Sequence, residues 1–214
     1  MRWLTLAAVL VLSACSGDDS DATDGSDTTD GTDWTDATDD TDGAESTRVR
    51  METSLGVMLI EVDVENAPIT ANNFLSYVDS GFFDGDDGLG ATVFHRVIKD
   101  FVIQGGGFVE DGERKTTLAP IELESDTGLK NLRGTLSMAR TNAPNSATTQ
   151  FFVNHKDNAN LDPTGPGTGY AVFAKVVEGL DVLDAIATTP VDATDPNFPK
   201  PLTAVVITDC ERVD

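Results

Sequence analysis

The sequence predicts an all-β domain with two helices, arranged as a closed antiparallel barrel or a sandwich. Three observations lead there. The chain breaks into many short apolar or alternating runs separated by glycine, proline and acidic turns. Only two stretches keep the i, i+3, i+4, i+7 spacing of a helix buried on one face. The composition also shifts abruptly at Arg48, leaving about 167 residues in one piece, enough for a single domain with a proper core.

Residues 1–15 read as a targeting segment rather than part of that domain. Arg2 supplies a minimal positive charge, and Leu4 to Leu12 form a short apolar run. That run is well below the ~20 residues a spanning helix needs. Residues 16–47 follow, built of Asp, Thr, Ser, Gly and Ala, with twelve acidic residues, no Lys or Arg, and Trp34 as the one large apolar side chain. Such a stretch cannot bury enough apolar surface to offset chain entropy, so a disordered tether is expected, with a coil dimension of roughly 30 Å. Its Asp-Gly pairs suggest calcium loops, but the full alternation before glycine and the closing Glu are missing.

With the tether acids and Arg2 set aside, residues 48–214 hold 25 acidic and 13 basic side chains, a net charge near −12. That balance argues against nucleic acid as a partner. The first predicted element is a hairpin over Val49–Asp63, turning at Ser54-Leu55-Gly56. Pro68 then opens a helix whose buried stripe is Ala71, Phe74, Leu75 and Val78, ending at Gly81. Strands are expected at Leu118–Glu124, Thr135–Ala139, Gln150–Val153 and Tyr170–Val177. A second short helix carries Leu180, Leu183, Ile186 and Ala187 on one side. The four prolines between Pro190 and Pro201 read as a loop, and Val205–Thr208 as the last strand.

The most informative stretch is Thr92–Phe108, TVFHRVIKDFVIQGGGF. Strand alternation puts Phe94 and Arg96 on one face and His95 and Val97 on the other. In the second run Phe101, Ile103 and Gly105 share a face, opposite Val102 and Gln104. Gly105–Gly107 lets the backbone approach something closely or take positive φ. One guanidinium and one carboxamide among apolar groups, with no nucleophile beside them, suit binding and polarising a neutral carbonyl rather than acyl or phosphoryl transfer.

At FHRVIKDFVIQGG the chain resembles the cyclophilin-type peptidyl-prolyl cis-trans isomerases. RGTLSMARTNAPNSATTQFFVNHKDNANLD (Arg133–Asp162) is similar to the other half of that family's active site, and GYAVFAKVVEGLDVLDAI (Gly169–Ile186) to its closing strand and helix. The resemblance spans roughly Val49 to Thr208. It implies a closed eight-stranded antiparallel β-barrel capped by a helix at each end, with the active groove on the outer wall. It also implies that Arg96 contacts the substrate carbonyl and prolyl nitrogen, and that Gln104 orients it. Phe101, Val102, Phe152 and Leu161 would line the proline pocket. Ala139 and Arg140 would offer backbone to the substrate, with Gln150 and Tyr170 beside it.

The chain departs from the family at several points. Val102 stands where many members carry Met, and Tyr170 where the eukaryotic type has His. Asn160 replaces the Trp of drug-sensitive members, which implies weak cyclosporin binding. Asp86–Ala91 reads as a short acidic insertion, either a surface loop or a specificity element near the cleft.

Leu12-Ser13-Ala14-Cys15 resembles a bacterial lipoprotein signal, which implies lipid on Cys15 and attachment to a membrane. Ser16 after it favours the outer membrane. Cys210 then has no partner for a disulfide and reads as a buried or tail thiol. His95 is expected as a hydrogen-bonded core histidine and His155 as a loop residue, so neither a metal nor a cofactor is implied. The reading is a monomeric isomerase acting on proline-containing polypeptides. A non-catalytic module that holds proline peptides is the alternative.

Overall fold

The computed structural model describes residues 47–214. The expectations for the leader, Cys15 and nearly all of the tether fall outside the described residues. The hairpin forms as predicted from β1 (Arg48–Thr53) and β2 (Gly56–Val62). After α1 (Pro68–Asp79) come β3 (Arg96–Ile98), β4 (Val102–Gly105), β5 (Thr135–Met138) and β6 (Phe151–Asn154). Then follow β7 (Val172–Glu178), α2 (Leu180–Ala187), the two-residue β8 (Val191–Asp192) and β9 (Lys200–Pro201), and β10 (Ile207–Val213). Eight strands join antiparallel in the order β10-β1-β2-β7-β5-β6-β4-β3, and β8 pairs with β9 separately.

The expected closed barrel is corrected to a curled, open sheet. β10 and β3 are its edges and share no ladder. Between them run the isolated bridge Val93–Val206 and two bonds, Phe94 N–H to the Val205 carbonyl and Ile207 N–H to the Thr92 carbonyl, both 2.9 Å. The backbone at Phe94–His95 is irregular, so β3 starts only at Arg96 and is too short to reach β10 as a strand.

The core lies on the inner face of the curl. Val97, Ile103, Val153 and Leu136 are register partners across β3, β4, β6 and β5, and all belong to it. Phe151 is fully buried, with ring centroids of Phe74, Phe83 and Phe94 at 5.6, 5.6 and 6.0 Å. Edge-to-face geometry adds about 0.5–1.5 kcal/mol per aromatic pair beyond area burial. Helix α1 packs on β7 and β10, while α2 packs on β2, β3 and β4. The predicted stripe of α1 is buried as expected. In α2, Leu180 is exposed at the first position and Val182 is buried instead.

Leu118–Glu124 is not a strand. Ile121 makes one bridge, to Ala147, and Glu124 caps α1 from a distance. Its carboxylate accepts the N–H groups of Ile69 (3.1 Å) and Thr70 (2.6 Å) and the Thr70 hydroxyl (2.7 Å). Ala67 at the helix start has no side chain able to do this, so the orphan amides recruit an acceptor from elsewhere. The acidic insertion is clamped by Lys115, whose ammonium is buried over the Phe82 ring. It donates to Asp87 Oδ1 and to the Gly90 and Phe82 carbonyls at 2.7–2.8 Å, so the buried charge is fully partnered.

Candidate active site

The outer face of the same four strands carries a second row, Arg96–Gln104–Phe152–Ser137, in register across β3, β4, β6 and β5. The alternation expected in β4 holds: Ile103 points into the core, while Val102 and Gln104 share the outer face. The pairing expected for Phe94 and Arg96 does not. Phe94 is buried in the core, and the irregular step at His95 turns Arg96 to the opposite face.

Arg96 is half-buried. Its Nε donates to the Asn197 carbonyl at 2.7 Å and its Nη1 to Gln104 Oε1 at 3.3 Å. It forms no ion pair among the described residues, so its charge is held by dipoles and remains open to a ligand. Burial lowers its pKa from the ordinary value, with Tyr170 acting the other way, and the group stays cationic. Gln104 Nε2 donates to Gln150 Oε1 at 3.0 Å, which fixes the Gln104 carboxamide with its oxygen toward Arg96. Gln150 lies directly over Gly107, where a Cβ would fall 2.5 Å from Gln150 Cγ. At Gly106 φ is +78°, and a Cβ would come within 2.9 Å of the Phe83 and Phe151 rings. The glycine run serves both purposes, positive φ and close approach.

The apolar part of the site stands beside this polar line. Phe152 meets the edge of Tyr170 at 5.4 Å, and Tyr170 N–H bonds the Leu161 carbonyl at 3.0 Å. The Arg140 guanidinium lies over the Tyr170 ring at 5.0 Å and donates to the Gly169 carbonyl at 2.9 Å. Phe101, Leu161 and Tyr170 are half-buried and form a rim. Val102 and Phe152 are only 2 and 5% exposed, so they make a floor rather than a wall. Ala139 N–H is already donated to the Gln150 carbonyl at 2.9 Å, which leaves its carbonyl as the group it can offer.

Two groups of residues at the site were not read from the sequence. The first is the loop between β8 and β9, which delivers the Asn197 carbonyl and the exposed Phe198 ring to Arg96. The second is a buried polar net beneath the rim, made by Asn131, Ser137, Asn154 and Asn158, each at most 1% exposed. Asn131 Oδ1 accepts from the Ser137 hydroxyl (2.8 Å) and Asn154 Nδ2 (3.2 Å). Asn158 Nδ2 donates to Asn154 Oδ1 (2.8 Å) and the Phe101 carbonyl (2.9 Å). This ties the turn that carries Leu161 to the turn that carries Phe101. Asn154, a polar residue in the apolar run FFVN, was the available signal.

His95 is half-buried and packs edge-on against Phe108 at 4.7 Å; its ring meets the Val93 backbone, while its Nδ1 has no hydrogen-bond partner. Burial pushes its pKa down to about 4, so it is neutral at pH 7. His155 lies in a loop as expected; its Nδ1 accepts from Asp100 N–H at 2.9 Å, and its Nε2 meets Asp184 at 3.1 Å. Cys210 is free and buried, and burial raises its pKa, so no reactive thiolate is available. A separate cleft of about 450 Å³, lined by Glu61, Val62, Lys130, Leu132 and Val172 among others, shares none of the site residues.

A family model described as cyclophilin type peptidyl-prolyl cis-trans isomerase/CLD matches residues 48–212. The chain is 50% identical over 162 residues to peptidyl-prolyl cis-trans isomerase cyp18 of Streptomyces antibioticus, covering 74% of this chain and 94% of that protein. It is 46% identical over 162 residues to peptidyl-prolyl cis-trans isomerase A of Dickeya dadantii, covering 76 and 82% respectively. Among solved structures it is similar to a Cryptosporidium parvum cyclophilin type isomerase determined in the presence of the dipeptide Ala-Pro. That match has a TM-score of 0.63 at 28% identity, covering 78% of this chain and 99% of the other.

Proposed function

The chain belongs to the cyclophilin-type peptidyl-prolyl cis-trans isomerases, and from that premise we propose that it catalyses rotation about X-Pro bonds at the groove built on Arg96. An amide resists rotation with a barrier of about 18–20 kcal/mol, because resonance keeps it planar. For X-Pro bonds the uncatalysed exchange takes roughly 10–100 s at 25 °C. Twisting the bond ends the resonance and leaves a lone pair on the prolyl nitrogen. A fixed cation that meets this lone pair stabilises the twisted form more than either planar one, which is what lowers the barrier.

The observation that carries the reading is the setting of Arg96. Its guanidinium is half-buried, oriented by one carbonyl and one carboxamide, and without a carboxylate to neutralise it among the described residues. In the proposed roles Gln104 aims Arg96, and Phe101, Val102, Phe152 and Leu161 receive the proline ring. Tyr170 backs Phe152, and the Ala139–Arg140 backbone with Gln150 flanks the peptide. No acid or base is required. A protease-coupled peptide assay tests this: Arg96→Ala should lower kcat/KM about 100-fold, the effect of removing one fixed donor to a developing charge. Equal slow rates in both proteins would leave only peptide binding.

The proposal extends to cellular context. The leader and Cys15 support a lipid-anchored envelope protein, favouring the outer membrane, that assists the folding of exported proteins as a monomer. Asn160 supports weak cyclosporin binding. Radiolabelled palmitate incorporation that vanishes in Cys15→Ser would support the anchor, and incorporation unchanged by that substitution would refute it.

A further inference from the structure

Of the ten phenylalanines, nine are buried or half-buried, while Phe198 is 62% exposed. An aromatic ring left in water forgoes the burial that normally rewards it. Yet this one is not on a loose tip. Arg96 Nε holds the Asn197 carbonyl on one side of it, and Val97 N–H holds the Pro199 carbonyl at 2.9 Å on the other. Within the loop, Asn197 N–H bonds Asp195 Oδ1 at 2.9 Å and Phe198 N–H bonds the Asp195 carbonyl at 3.1 Å. Pro199 further restricts the backbone at Phe198. Both neighbours of the ring are therefore anchored to β3, the strand that carries Arg96.

The ring centroid lies 5.6 Å from the Arg96 guanidinium carbon, near the outer limit of a cation–π contact. That contact alone is too loose to account for a clamped, exposed ring. Arg96 stands between two sides, with Gln104, Gln150 and Ala139 on one and Asn197 and Phe198 on the other. A peptide whose prolyl amide sits at the guanidinium leaves one neighbouring residue facing the second side.

We propose that Phe198 is a specificity-determining residue, a wall that receives an apolar or aromatic side chain on the residue flanking the proline. The proposal rests on the isomerase reading of the same groove. It explains why the loop is fastened to β3 with its aromatic side chain outward.

The test measures kcat/KM of the full chain by protease-free exchange NMR. Two proline-peptide series are used, with Gly, Leu or Phe either before or after the proline. In one series the wild type should favour Leu and Phe over Gly by about three- to tenfold, the range of one aromatic packing contact. Phe198→Ala should bring that ratio near one, and Phe198→Leu should keep most of it, because the wall needs apolar surface rather than a π face. A ratio unchanged in Phe198→Ala overturns the proposal. So does an equal loss on all six peptides, which would mean that the ring only positions Arg96. Should the wild type match Arg96→Ala on every peptide, the isomerase reading fails first, and visibly so. Thermal midpoints of the variants confirm folding.

Discussion

Strands β3 to β6 carry two rows of side chains on one set of backbones. The inner row, Val97–Ile103–Val153–Leu136, belongs to the apolar core, which also holds the rings around Phe151. The outer row, Arg96–Gln104–Phe152–Ser137, is mostly polar, and most of its partners come from segments far along the chain: Asn197, Gln150 and Tyr170, with Asn131 closer by. The inner row is held by non-directional packing that many apolar side chains satisfy. The outer row depends on directed contacts to particular partners, several of them distant in the chain, so it tolerates less. This is why stability and activity should separate by face.

The largest expected effect is on the inner face. Phe151→Ala should destabilise the fold by about 3–5 kcal/mol, read from denaturant midpoints, because the three rings packed on it cannot collapse into the space left. If it affected activity alone, the separation of faces would be wrong. Arg96→Ala should do the reverse, losing about 100-fold in kcat/KM, or about 2.7 kcal/mol, with its thermal midpoint almost unchanged. Arg96→Lys should recover little of it, since an ammonium cannot hold the Asn197 carbonyl and the Gln104 carboxamide in one plane.

His95 sits between the two faces and should show in the pH profile. Its folded pKa of about 4 lies below the ordinary 6.5, so the unfolded chain binds the proton more readily. Its contribution is therefore fully present above pH 6.5 and is lost as pH falls toward 4, by roughly 2–3 kcal/mol. Comparing the stability of wild type and His95→Gln at pH 7 and pH 4 checks this, and equal slopes would contradict it. The smallest effect belongs to the polar net. Asn158→Ala frees Asn154 Oδ1 and removes one of the two bonds to the Phe101 carbonyl, which keeps the His155 N–H at 2.9 Å, costing roughly 1–2 kcal/mol. It should raise KM more than it lowers kcat, because the rim loosens while Arg96 stays in place.

How legible each part was in the sequence follows the same division. The buried stripe of α1 and the alternation of β4 could be read from spacing, because burial selects residue type position by position. The alternation failed at Phe94–Arg96, where one irregular step reverses the faces. Leu118–Glu124 looked like a strand because a single apolar bridge and a capping carboxylate leave the same trace as alternation. Closure of the barrel could not be read either, since it depends on whether two edges far apart in the chain reach each other. Arg96, Gln104 and Phe152 were named from a resemblance, and their geometry then brought them into one row. Asn197 and Phe198 lay in a proline-rich stretch that spacing marks only as loop.

The amino-acid order alone settled what is local: which runs extend, which coil, which side chains belong inside, and that a guanidinium and a carboxamide stand among apolar groups. Folding in three dimensions decided what is distant: the open edges of the sheet, the carbonyl that fixes Arg96, the glutamate that caps a helix it never touches in sequence, and the ring set beside the cation. The reason is physical. Burial acts on each residue through its own hydropathy, whereas a hydrogen bond or a ring contact needs a partner, and the chain's order does not say which partner the fold will bring.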